Sequence, residues 1–106
     1  MVELHEMLRG AKQRGASDLH IKAGAPPFIR IDGELAPLPG APKLTLVDTH
    51  RLGNEILNNF QKKKLRDHNE IDVSYQIQDV GRFRVNIFQQ RGAMSLVFRI
   101  IPPTVA

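Results

Sequence analysis

The chain has 106 residues, 42% of them apolar and 25% charged, the balance of an ordinary globule with one modest core and no room for a second. Fifteen Lys and Arg against eleven Asp and Glu leave a formal charge of +4, which would favour an anionic partner only if gathered on one face. The absence of cysteine excludes disulfides, thiolate metal sites and a cysteine nucleophile. No apolar run approaches the roughly 18 residues of a membrane span, and MVELHEMLRG places acids where a leader would be basic, so a cytosolic, non-spanning domain is expected.

Residues 2 to 14 set Leu4, Met7, Leu8 and Ala11 at i, i+3, i+4 and i+7, the spacing of an amphipathic helix that Gly15 would end. SDLHIKA alternates Leu19, Ile21 and Ala23 with Asp18, His20 and Lys22. FIRID alternates Ile29 and Ile31 with Phe28, Arg30 and Asp32, so both predict half-buried strands. Asp32-Gly33 predicts a hairpin turn into ELAPL, and PLPGAPK a loop. Thr45 and Asp48 form a capping-box-like start to a second helix, with Leu46, Leu52, Ile56 and Leu57 as its apolar stripe. QKKKLRDHNE predicts a further short helix or an irregular connection. Three strands follow, IDVSYQI, GRFRVNIF and MSLVFRII, and Pro102-Pro103 stops the last. Helix, three strands, one or two helices and three strands make an α+β domain with helices packed on a mostly antiparallel sheet.

Several motifs fail on inspection. GAKQRGAS has the outline of a phosphate-binding P-loop, but Ala16 stands where the lysine must be and a helix precedes it in place of a strand. The four histidines are scattered without metal-ligand spacing, and Asp67, His68, Glu70 and Asp72 lack the glycine-containing loop of a calcium site. Lys62, Lys63 and Lys64 are a solvated helix face before they are a nucleic-acid contact. GRFRVNIF has the glycine of an RNA-reading strand, but Val85 replaces the second stacking aromatic, and Phe83 shares a face with Val85 and Ile87 that reads as core. The same alternation sets Arg82, Arg84 and Asn86 on the opposite face. On spacing alone these guanidiniums pair with carboxylates of neighbouring strands or form a fork for phosphate oxygens.

ASDLHI at 16–21, AGAPPFIRIDGEL at 23–35 and GRFRVNIFQQRGAMSLVFRIIP at 81–102 resemble the N-terminal domain of the type IV pilus retraction ATPases, the twitching-motility branch of the type II and type IV secretion ATPases. The likeness covers almost the whole chain in order. Lys22 and Ala23 replace the Glu-Pro of the ASDIHIEP found in the extension and type II branches, while Pro26-Pro27 and QQRGA suit the retraction branch. The resemblance implies a PAS-like domain over residues 1–101. Residues 102–106 would begin a linker to a RecA-like ATPase domain bearing the Walker motifs that are missing here. It further implies a hexameric motor in the cytoplasm, at the inner-membrane face of the pilus base. No cofactor is expected in this part, ATP and Mg2+ in the intact parent, and no direct nucleic-acid partner. The partners implied are the RecA-like ATPase domains of the same chain and of a neighbouring subunit, and the inner-membrane pilus machinery. By this resemblance Arg82, Arg84 and Arg91 would approach the nucleotide phosphates between the domains, and Asp18 and His20 would serve fold and domain contact. A free-standing PAS-like sensor and a small nucleic-acid-binding domain are the competing classes. A sensor should enclose an apolar pocket, and a nucleic-acid binder should weaken steeply with salt.

Overall fold

The structure, a computed structural model, describes residues 3–103. Its elements are α1 (Leu4–Gln13), β1 (Asp18–Ile21), β2 (Phe28–Ile31), β3 (Glu34–Pro37), α2 (Leu46–Ile56), α3 (Asn59–His68), β4 (Glu70–Ile77), β5 (Gly81–Gln90) and β6 (Ala93–Ile101). The expected first helix began at Val2, which lies outside the described residues, as do residues 104–106 of the expected linker.

Local chemistry sets the boundaries. Asp32 and Gly33 both have positive φ, 52° and 83°, the backbone of a two-residue turn whose twist matches the strands it joins. Arg91 and Gly92, at 53° and 80°, do the same between β5 and β6. At the start of α2 the Asp48 N–H donates to Thr45 Oγ1 at 3.1 Å, and the Thr45 N–H returns a bond to Asp48 Oδ2 at 2.8 Å. That reciprocal pair satisfies two backbone donors a helix start leaves open, and the Thr45 N–H holds the Asp48 carboxyl below its ordinary range. Asn58 and Gln61 repeat the arrangement for α3. QKKKLRDHNE is thus helical for most of its length, and two of its three lysines are engaged locally. Lys63 pairs with Asp67 at 2.7 Å, and Lys64 lies over the Phe60 ring.

The six strands form one sheet in the order β3-β2-β1-β6-β5-β4, each neighbouring pair antiparallel. Two three-stranded meanders are therefore joined where β1 meets β6. The helices cover one face only. Beneath them Leu19, Ile29, Phe83, Val85, Leu96 and Phe98 are buried together with Leu4 and Leu8 of α1, as the alternation predicts, while Ile31 is only half-buried. The expected stripe of α2 needs correction, because Leu46 is 54% exposed. The buried positions are Thr49, Leu52 and Gly53, with Ile56 half-buried. This is the i, i+3, i+4, i+7 series; Leu46, seven residues before Gly53, shares its phase but stands at the first position of the helix, where it is left exposed. Gly53 is the position a hydrophobicity count passes over. A Cβ there would lie 2.2 Å from Met94 Sδ, so glycine lets α2 settle against β6.

Candidate phosphate-facing site on the open sheet face

The uncovered face of the sheet carries the polar half of every alternation. Along β5 Phe83, Val85 and Ile87 are buried and Arg82, Arg84 and Phe88 are exposed, with Asn86 half-buried. Phe83, the aromatic that an RNA-reading strand would present outward, is fully buried. Cross-strand register then assembles a row that no single segment reveals. Arg30 of β2 stands opposite Asp18 of β1, Asp18 opposite Arg99 of β6, Arg99 opposite Arg84 of β5, and Arg84 opposite Ser74 of β4. Three guanidiniums and one carboxylate thus cross four strands, each step about 5 Å, and Ser74 continues the row onto a fifth.

Charge is unevenly compensated along this row. Asp18 Oδ2 lies 3.8 Å from Arg30 Nε, and Asp18 Oδ1 lies 3.6 Å from Arg99 Nε. Ser17 Oγ donates to Asp18 Oδ2 at 2.7 Å, and Arg30 also donates to the Gly33 carbonyl at 2.8 Å. Among the described residues Arg84 and Arg82 have no carboxylate partner and no side-chain hydrogen bond. The neighbouring acids are committed elsewhere, since Asn86 donates to Glu70 at 2.9 Å and to Asp72 at 3.2 Å. Like charges directly opposite on a sheet are unfavourable, so Arg84 and Arg99 form a pair that an anion between them would relieve. A depression of about 400 Å³ lined by Asp18, Asp72, Arg84, Asn86, Val97 and Arg99 lies there.

The sequence-derived residues do not all come together. Arg82 is two residues from Arg84 on the same face, about 7 Å away, beside Lys12, Pro102 and Pro103 where β6 ends. Arg91 sits in the β5–β6 turn at the other end of the strand, about 23 Å from Arg84 at 3.3 Å per residue, and cannot share one phosphate group with it. His20 lines a separate groove of about 260 Å³ together with Phe28, Leu35, Phe88, Ser95 and Val97. Its Nε2 is buried without a partner. Burial pushes its pKa down, opposed by the nearby Asp18 charge and assisted by Arg30. This groove opens on the outer sheet face, apart from the core under the helices. Arg99 and Arg30 are the residues sequence reasoning missed. The outward phase of Arg99 was readable from Leu96 and Phe98 pointing in, but nothing local says that it lies beside Arg84. No helix of the described residues is long and apolar enough to cross a membrane, and they bring no three His, Asp or Glu together as metal ligands.

Comparison with known proteins agrees with this fold. No protein-family model matches the chain. The type IV pilus retraction ATPase PilT of Pseudomonas aeruginosa is 39% identical over 104 residues, 98% of this chain and 30% of that protein. The type IV pilus ATPase PilU of the same organism is 31% identical over 100 residues, 94% of this chain and 26% of that protein. In three dimensions the crystal structure of the pilus retraction motor PilT with bound ADP superposes with a TM-score of 0.92 at 37% identity, across 100% of this chain and 31% of that one. The Legionella pneumophila ATPase DotB gives 0.79 at 28% identity, across 95% of this chain and 29% of its own. The chain therefore spans less than a third of the relatives it matches. A shared fold along its whole length, together with 39% identity, places it in the family of PilT-type pilus retraction ATPases, type II and type IV secretion ATPases whose N-terminal domain it matches.

Proposed function

We propose that the chain serves as the N-terminal domain of a pilus retraction motor and lends arginines to a nucleotide held by an ATPase domain. The observation that carries this reading is the pair of facing guanidiniums, Arg84 without a carboxylate among the described residues and Arg99 held by one on only one side. Arg82 extends the array along β5. A guanidinium is always charged and offers a planar fork of donors that fits phosphate oxygens two at a time. Directed at the phosphate being transferred, it neutralises charge that grows in the transition state, where such arginines contribute on the order of 10³ or more in rate. The chain's own residues bind and orient phosphate. A P-loop lysine, the ligands for Mg2+ and the group that activates water would come from the ATPase domain, with ATP and Mg2+ as its cofactors.

On this reading residues 1–101 are the PAS-like domain, and Pro102 and Pro103 open the linker that runs over residues 102–106. The partners are the RecA-like ATPase domains of the same chain and of a neighbouring subunit in a homo-hexamer. The motor stands in the cytoplasm against the inner-membrane pilus machinery, with no direct nucleic acid. His20 and its groove serve domain contact. Arg91, at the far end of β5, belongs to a different contact from Arg84.

The test uses a longer protein that joins this domain to its ATPase domain. Arg84→Ala and Arg99→Ala should each lower the turnover number at saturating ATP by about a hundredfold or more, with Lys restoring little of it. Unchanged turnover, accompanied by lost thermal stability, would return both residues to a sheet-face ion network.

A further inference from the structure

Asp18 is the sole carboxylate in the row of arginines, and the way it is held is specific. Its side chain is only 13% exposed, whereas that of Arg99 is 77% exposed. Ser17 Oγ fixes one oxygen at 2.7 Å, and each oxygen meets a different guanidinium at Nε, Arg99 at 3.6 Å and Arg30 at 3.8 Å. Contact at Nε matters because it anchors a guanidinium by its inner nitrogen and leaves the two terminal nitrogens to bind elsewhere. Arg99 uses neither terminal nitrogen on any protein acceptor among the described residues. Across the ladder stands Arg84, whose charge pushes Arg99 away.

The geometry points to Asp18 as a positioning residue that holds Arg99 beside Arg84, so that two forks face one polyphosphate in place of splaying apart. This rests on the phosphate reading of the site and adds to it the group that makes the arginines act together. It also gives Asp18 a sign that plain electrostatics would not. As a bare negative charge near the site, Asp18 should weaken anion binding, and its removal should tighten it. As the anchor of Arg99, its removal leaves a long exposed side chain to be ordered by the ligand itself, and binding weakens.

Sodium tripolyphosphate titrated into the 106-residue chain, followed by amide and arginine Nε–H NMR signals, separates these outcomes. Asp18→Ala should weaken binding by roughly three- to tenfold, against the expectation from charge. In an Arg99→Ala background the same change should no longer weaken binding, since nothing remains to be positioned. Asp18→Asn, which keeps the side chain's size but removes the charge that attracts Arg99 Nε across 3.6 Å, should also weaken binding and covers the case in which the alanine variant does not fold. Tighter binding by either variant, or equal weakening with and without Arg99, overturns the positioning role. Arg84→Ala reports on the underlying reading separately. If it leaves tripolyphosphate binding unchanged, or if the unaltered chain shows no shifts at millimolar ligand, the phosphate site itself is refuted. If it weakens binding while Asp18→Ala does not, only the role of Asp18 falls.

Discussion

Neighbouring residues on β5 should respond oppositely to truncation. Phe83 is fully buried, flanked across the ladder by Tyr75 of β4 and Ile100 of β6. Removing its ring forfeits the transfer free energy of a large apolar side chain, about 1.5 to 3 kcal/mol. A void that a closely packed sheet interior cannot fully refill raises the cost of Phe83→Ala to about 3 to 5 kcal/mol. Against a total stability on the order of 5 to 15 kcal/mol for a single domain, that is enough to lower the melting temperature by about 12 °C or more. Arg84, one residue on, is exposed, has no partner among the described residues, and faces another arginine. Arg84→Ala should therefore change stability by no more than about 0.5 kcal/mol, and the lost repulsion makes a slight gain the expected direction. Circular dichroism melts and urea titrations on the two variants and the parent chain supply the comparison. A Phe83→Ala variant melting within about 4 °C of the parent, equivalent to roughly 1 kcal/mol, would refute the assignment of faces along β5. The account of the arginine row would fall with it.

Three further outcomes are expected. Thr45→Ala should cost about 1 kcal/mol by chemical denaturation, because it opens the reciprocal bonds at the start of α2; a cost near zero would mean that packing alone fixes that helix end. His20 is held below its ordinary value of 6.5, mainly by burial, so the unfolded chain takes up a proton before the folded one does. The stability it contributes is fully present above pH 6.5 and declines as pH falls below it. His20→Gln should flatten that acid limb relative to the parent chain, and parallel limbs would show that His20 is not responsible. Finally, the chain by itself should release no phosphate from ATP, since it contains no P-loop lysine; turnover that survives repurification and follows the folded protein would contradict this.

How far the sequence went is visible in particular residues. The alternation in GRFRVNIF was enough to place Phe83 inside and Arg84 outside, because the two-residue period of a strand is a property of backbone stereochemistry and needs no partner. The same holds for the box at Thr45 and for the turn at Asp32-Gly33, each closed within four residues. Leu46 was misplaced because helical phase, which it shares with Thr49 and Gly53, does not say how far along the helix the covered stretch extends. Glycine and threonine carry little hydrophobic signal even where packing puts them against the sheet. Likeness to known pilus motors supplied the arginines of β5, but Arg99 and Arg30 came only with the fold. That Asp18 sits between them, and that Arg84 stands across from Arg99, follows from β1 pairing with β6 across nearly the full length of the chain. Such a register is decided by how all six strands share one core, a global sum of burial to which no local pattern corresponds. Along the strands, local alternation was enough to say which side chains face outward; which of them meet follows from the pairing of distant strands.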